Sequence, residues 1–216
     1  MTTAHYVGVS HRELARFPVP QQGLPSALKH PSDSELVARS KAGDVEAFGQ
    51  LYARYERMVY RMAICMLGDP DEADDIKQNT FIKAYRAIES FRGDASFASW
   101  VLKVATNLCR DFLKVRGRRR EVALVPAIEA QVYDPSVFGR DPARLYERQE
   151  FDRLVARVLA ALPSNYREII VLRDVEGLSY AQIGEVVGAS TASVKLRLFR
   201  ARRSLRERMD SVLNAR

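Results

Sequence analysis

Residues 178–203 read LSYAQIGEVVGASTASVKLRLFRARR, a short helical pattern, a glycine turn and a second helical pattern with a cationic outer face. Two helices joined by so short a turn form a helix-turn-helix, the arrangement that reads duplex DNA. In the second helix Ser190 is placed as N-cap after Gly188, and Val194, Leu198, Ala201 and Leu205 follow at i, i+4, i+7 and i+11. That narrow apolar stripe docks the helix. At ~100° per residue the opposite side presents Ala192, Lys195, Leu196, Phe199, Arg200 and Arg203, side chains able to enter a major groove and reach phosphates or base edges. In the first helix Tyr180, Ile183, Val186 and Val187 supply the partner surface, with Ala181 and Gly184 keeping the pair close. The same pattern also suits an ordinary helical hairpin with a solvated basic face, and the rest of the chain has to decide between them.

Charge is the first discriminator. The net charge of +7 is concentrated: residues 116–120 read RGRRR, and residues 195–208 carry seven basic side chains against the single acid Glu207. Clustering of this kind favours nucleic acid as partner over a membrane surface. With 216 residues, 47% of them hydrophobic, the chain is long enough for one large or two small domains. Cys65 and Cys109 both fall in apolar helical patterns, which predicts buried free thiols in a reducing compartment. The three histidines lie at positions 5, 11 and 30, and no Cys/His spacing resembles a metal site. No signal peptide or apolar run of the ~20 residues needed to cross a bilayer is visible, so a cytoplasmic protein without stable membrane insertion is expected.

Helical periodicity continues upstream. Residues 1–31, with Pro18, Pro20, Pro25 and Pro31, read as a flexible arm. A helix capped by Ser32 or Asp33 runs through Leu36, Val37 and Ser40 to a break at Gly43 and Asp44. The next is longer, with Phe48, Leu51, Tyr52, Tyr55, Val59, Met62, Ala63 and Met66 inward, and ends at Gly68, Asp69 and Pro70. A third, over about residues 72–90, begins acidic and is apolar along Ile76, Thr80, Ala84 and Ile88, while Asp74, Asp75, Gln78 and Lys83 face outward. Acidic residues make a poor DNA surface and point to a protein partner. A fourth runs from its cap Ser96 to about Val115. No strand alternation competes, so the fold class is all-α: two small helical domains joined by a flexible linker. The expected division is an arm at 1–31, a first domain at 32–116, a linker at 117–147 interrupted by Pro126, Pro135 and Pro142, and a second domain at 148–210.

The fourth helix has two contrasting sides. Phe97, Val101, Val104, Leu108 and Phe112 form the expected buried stripe, whereas Lys103, Asn107, Arg110 and Lys114 make a cationic, hydrogen-bonding row. Such a row can follow a phosphate backbone, with Asn107 reaching a base, and it equally suits a solvated face. The preceding loop places Arg92, Asp94 and Ser96 beside Phe97 and Trp100, a mixture of donors, acceptors and aromatics that can hold an unstacked base. Phe97 is read as core; Trp100 suits either role.

Together, DEADDIKQNTFIKAYRAIESFRGDASFASWVLKVATNLCRDFLKVRGRR and, after the linker, LPSNYREIIVLRDVEGLSYAQIGEVVGASTASVKLRLFRAR closely resemble the extracytoplasmic-function sigma factors, two-domain sigma factors of bacterial RNA polymerase. Both motif blocks occur in the family's order and spacing. The resemblance implies that core RNA polymerase docks on the helix holding Asp74, Asp75, Gln78, Phe81 and Lys83. It implies that Arg92, Asp94, Ser96, Trp100, Lys103, Asn107, Arg110 and Lys114 serve the minus-ten element of promoter DNA, and that Ser193, Lys195, Leu196, Arg197, Phe199, Arg200 and Arg203 serve the minus-thirty-five element. It further implies an anti-sigma factor as partner, and neither catalytic residues, metal nor cofactor. Asn79 stands where the family usually has an acid, Lys77 where an apolar residue is common, and Leu196 where a small polar one is. Leu196 is suited to a thymine methyl. The alternative is a conventional helix-turn-helix regulator that binds an operator on its own, usually as a symmetric dimer. An enzyme acting on nucleic acid lacks any supporting motif.

Overall fold

Most of the helices begin where the chain supplies a side-chain cap. A computed structural model describes residues 31–119, 155 and 157–214, and these are helical with no strand among them. The arm, and most of the expected linker, lie outside the described residues. Helix α1 (Asp33–Lys41) opens with a capping box: Ser32 accepts from the Glu35 amide at 3.3 Å and the Ser32 amide donates to the Glu35 carboxylate at 2.7 Å. Helix α2 (Val45–Leu67) is capped by Asp44, which accepts from the Ala47 amide, and it stops at Gly68, whose φ of 77° is the left-handed conformation that ends a helix cheaply only for glycine. Asp69 then caps helix α3 (Pro70–Ala87), with Pro70 in the first turn where its missing N–H costs nothing. A single 3₁₀ turn (Ile88–Ser90) and the loop at 91–96 lead to helix α4 (Phe97–Arg119), so the helix extends through the basic run at which the linker was expected to start.

The second module follows residues 155 and 157–160, which are helical, with α5 (Ser164–Ile170). That helix widens into a π turn (Val171–Val175). Helix α6 (Tyr180–Val187) carries a second capping box, Ser179 with Gln182, and ends at Gly188, again left-handed at φ 70°. Helix α7 (Thr191–Asn214) begins with the Ser193 amide donating to Ser190 at 3.3 Å, as the sequence predicts.

Two apolar clusters hold the chain together. One lies within the first module, where Leu36, Leu51, Val59, Phe81, Ala84, Phe97 and Val101 meet. Aromatic edges lock it: Phe48 against Tyr85 at 4.9 Å and Tyr52 against Phe81 at 4.7 Å between ring centroids. The other joins the modules, bringing Met62, Met66, Leu102 and Cys109 into one cluster with Ile169, Leu172, Ile183, Val194 and Leu198. The two helical domains expected on a tether also touch: α4 packs directly on α6, and α2 on α5.

This packing also corrects the burial of α4. Phe97 and Val101 are buried as expected, but so are Leu102, Ala105, Thr106 and Cys109, while Val104, Leu108 and Phe112 are only half-buried. A helix covered on two sides buries a wider arc than one stripe. Ala181 is exposed and takes no part in closing the α6–α7 pair. Gly184 does matter, though for its own turn: a Cβ there would lie 2.6 Å from the Ala189 carbonyl oxygen, a backbone atom with no freedom to move aside. Gly184→Ala should therefore lower stability by about 1–3 kcal/mol, the usual range for overpacking, read from the urea midpoint of the full chain.

Candidate nucleic-acid interface

Helix α7 presents the clearest surface. Val194, Leu198, Ala201 and Leu205 are buried against Ile183 and Val186 of α6, exactly one face of the helix, and Met209 extends the stripe. With that face docked, Ser193, Lys195, Leu196, Phe199, Arg200 and Arg203 project into solvent. Phe199 is 68% exposed and Leu196 50%, large apolar side chains set among cations. Such exposure loses hydrophobic stabilisation in the free protein and is recovered when a partner covers it. Lys195 is held near the Tyr180 ring, with Nζ 5.7 Å from its centroid, and Arg203 makes an exposed pair with Glu207 at 3.1 Å. Pairs of that kind contribute little and yield readily to a phosphate. Arg197 differs from the others in being half-buried, close enough to Glu168 to favour its ionised form.

The second surface lies on the first module. Arg92, Asp94 and Ser96 are exposed in the loop, where Gly93 at φ 80° makes the turn and Ser96 accepts from the Ser99 amide at 3.1 Å, the expected cap. Phe97 is core at 2% exposure. Trp100 is half-buried and meets Phe91 at 5.0 Å and Phe97 at 5.6 Å between ring centroids, both in tilted contacts. Lys103, Asn107 and Lys114 are exposed on α4 in the predicted row. Arg110 belongs to that row by position, but its guanidinium is engaged: Nε donates to Glu168 Oε2 at 3.0 Å and Nη2 to Oε1 at 2.5 Å.

Helix α3 carries the acidic surface. Asp75, Gln78 and Lys83 are exposed, and Asp74 accepts from Lys77 and from Gln78 Nε2 at 2.9 Å. The Lys77 hydrogen bond holds the Asp74 carboxyl below its usual range, so this patch stays anionic. Lys77, the residue out of place by resemblance, has its stem covered and its ammonium 5.7 Å from the Tyr60 ring centroid. Phe81 stands apart from the other assigned residues: at 4% exposure it is a core side chain, packed on Phe48 and Tyr52. It forms the floor of a groove that Phe48, Tyr52, Gln78, Ile82, Tyr85 and Arg86 complete beside the acidic patch.

Charges at the seam between the modules were not singled out by the sequence. Arg61 Nε and Nη2 donate to Glu176 at 3.1 and 2.7 Å, and Arg167 donates to four carbonyls, those of Met66, Leu159, Ala160 and Leu162. Burial pushes the carboxyls of Glu168 and Glu176 up, opposed in each case by the arginine partner. Burial also raises both thiols, Cys65 and Cys109, to about 12, so neither is a thiolate at neutral pH and both are free, inert core residues.

With this geometry established, similarity to known proteins follows its two halves. Residues 51–119 match the family model for sigma-70 region 2 and residues 152–205 that for sigma-70 region 4. The RNA polymerase sigma-H factor of Pseudomonas aeruginosa is 34% identical over 189 residues, 86% of this chain and 98% of that protein. The ECF RNA polymerase sigma-E factor of Escherichia coli K12 is 34% identical over 185 residues, 84% of this chain and 96% of that protein. Among solved structures, CnrH in complex with the cytosolic domain of CnrY superposes with a TM-score of 0.61 at 30% identity, covering 85% of this chain and 97% of that one. The sigma factor RpoE of Bartonella quintana, solved with the anti-sigma factor NepR, shares the fold at a TM-score of 0.60 and 23% identity, covering 76% and 96%.

Proposed function

Since the chain belongs to the sigma-70 family, as an extracytoplasmic-function sigma factor, we propose that it docks on core RNA polymerase through the acidic face of α3 and reads promoter DNA with two separate surfaces. The observation that carries this reading is the exposure of Lys195, Phe199 and Arg200 opposite the docked stripe of α7. A helix held in this way offers short and long donors to a major groove, and an apolar pair, Leu196 and Phe199, to thymine methyls. This is the minus-thirty-five surface, on a domain spanning about residues 148–210.

The first domain, about residues 32–116, takes the minus-ten element with the loop at 92–96, Trp100, and the row Lys103, Asn107, Arg110 and Lys114. Strand opening asks for no catalytic group: contacts to an extruded base offset the few kcal/mol of unpairing. Trp100, half-buried at the start of α4, is the aromatic on which such a base would stack. Core polymerase meets Asp74, Asp75, Gln78 and Lys83, with Phe81 beneath them. Among the described residues no helix is long and apolar enough to cross a membrane, and a cytoplasmic place beside polymerase fits the role. An anti-sigma factor is the proposed regulator, in keeping with the family resemblance.

In vitro transcription with purified core polymerase and a promoter library tests this. Transcripts that require the protein and start downstream of a shared two-block motif are expected. No initiation, combined with tight operator binding by the protein alone as a dimer, would instead establish a conventional regulator.

A further inference from the structure

The loop that leads into α4 is fastened at both ends, and one fastening comes from a distant helix. At its far end Ser96 accepts from the Ser99 amide at 3.1 Å, and the Trp100 amide donates to the Ser96 carbonyl at 3.0 Å, an ordinary helix start. At its near end Lys41, the last residue of α1, donates through its ammonium to the Phe91 carbonyl at 2.5 Å, across 50 residues of sequence. A lysine in the last turn of a helix can serve the carbonyls of that helix. Here those of Ala38, Arg39 and Ser40 already accept from the amides of Ala42, Gly43 and Asp44, which leaves the ammonium to the loop.

Phe91 passes this tie on. Its amide donates to the Ile88 carbonyl at 3.1 Å, and its ring, 8% exposed, meets Phe97 at 6.0 Å and Trp100 at 5.0 Å between centroids. Holding the carbonyl therefore holds the aromatic wall beside Trp100 as well as the entry of the loop. Between the two fastenings Arg92 and Asp94 are exposed, and their side chains are bonded to none of the described residues. Polar groups left for a ligand on a backbone already held make a preorganised site, because the loop is ordered on folding and loses little further entropy on binding.

We propose that Lys41 is a positioning residue for base reading: by clamping the Phe91 carbonyl it holds Arg92, Asp94 and Trp100 in the arrangement that tells one extruded base from another. Lys41 has this role only if the loop serves the minus-ten element, as proposed above. Its side chain touches no DNA in this scheme, so its loss changes which sequences are preferred more than how tightly DNA as a whole is held. A phosphate contact behaves in the opposite way and weakens all sequences alike.

The test uses holoenzyme assembled from core RNA polymerase and the full chain, offered a randomised pool of short single-stranded DNA that is sequenced before and after selection. Wild type should enrich a short motif. Lys41→Met keeps the aliphatic stem and removes the donor; enrichment of the motif over its single-base variants should fall about tenfold, equivalent to one charge-assisted hydrogen bond, while the total strand bound changes less than about twofold. Lys41→Arg, which restores a donor, should recover most of the preference. Arg39→Met removes a cation from the same helix end, where its partner is Asp44, and should leave the motif as in wild type. The proposal is overturned by a Lys41→Met motif as sharp as that of wild type, by failure of arginine to restore the preference, or by an equal loss for every sequence, which would make Lys41 a phosphate contact. Loss of helicity in Lys41→Met by circular dichroism overturns it too, because the tie would then serve the fold rather than the loop. Arg92→Ala and Trp100→Ala separate these failures from failure of the underlying reading. If both leave the wild-type motif intact, the loop does not read the minus-ten element and the role of Lys41 falls with it. If they erase the motif and Lys41→Met does not, the reading stands and the positioning falls.

Discussion

Replacing Arg167 with Leu is expected to lower the stability of the protein by about 3–5 kcal/mol, because several buried carbonyls lose a donor at once. The residue is 8% exposed, and its guanidinium donates to the carbonyls of Leu159 at 2.9 Å and Leu162 at 3.1 Å, and to those of Ala160 and Met66. These are carbonyls at or near helix ends, where amides run short and the helix dipole is negative, although Leu159 also accepts from the Leu162 amide at 3.0 Å. Burial disfavours the charge, as its lowered pKa records, so the arginine is retained at a cost that the four acceptors offset. Leucine fills much of the space and satisfies none of them. Each buried carbonyl left without a donor costs about 1–3 kcal/mol, which makes the loss larger than any simple packing change nearby. Lysine should rescue only partly, because a single ammonium cannot span acceptors arranged around a fork. Urea denaturation of wild type, Arg167→Leu and Arg167→Lys at unchanged m-value measures it, and a loss below about 1 kcal/mol for leucine would show that water replaces the guanidinium.

Arg167 is also where reading from sequence alone reaches its limit. The helix-turn-helix was legible because every local signal agreed: a cap at Ser190, a left-handed glycine at 188, and the stripe Val194, Leu198, Ala201 and Leu205, all of which the structure buries. The breaks at Gly43 and at Gly68 to Pro70 were legible for the same reason, since turn chemistry depends on neighbours in sequence. Features set by the meeting of the two modules were not. Periodicity assigns one apolar stripe to α4, whereas a second partner, α6, buries Leu102 and Cys109 as well. One signal was available in α2, where residues 62–67 run MAICML without a polar break; a helix end apolar on all sides is enclosed on all sides. Charges carried no such signal. In the segment SNYREIIVLRDVEG, Arg167, Glu168 and Glu176 look like solvated residues flanking an apolar run, and only the distant partners Met66, Arg110 and Arg61 show otherwise. The depth of Phe81 was not legible either: its position on α3 suits a contact, yet its ring is enclosed by Phe48 and Tyr52.

The division of labour between the two exposed surfaces is testable by a pair of substitutions with opposite signatures. Arg200→Ala removes an exposed guanidinium from the DNA face of α7, and loss of a base-edge contact costs about 1–3 kcal/mol, so transcription from promoters that depend on the minus-thirty-five element should fall about tenfold or more. Core-polymerase affinity should be unchanged, because α3 lies on the other domain and shares no side chain with this face. Asp75→Lys inverts one exposed charge of the acidic patch; like charges brought together at a docking surface cost several kcal/mol, so core affinity should fall at least about tenfold while duplex binding by the free protein is retained. Neither residue is buried, and neither is bonded to another side chain among the described residues, so both variants should unfold at the wild-type urea midpoint, and a shift there would disqualify the comparison. Fluorescence titration against core enzyme and run-off transcription distinguish the cases. If Arg200→Ala weakened core binding, the α7 face would belong to polymerase and the basic surface would need another explanation. If Asp75→Lys left core binding intact, docking would have to move off the acidic ridge into the adjoining groove of Phe48, Ile82 and Tyr85, where apolar contact rather than charge would set the affinity.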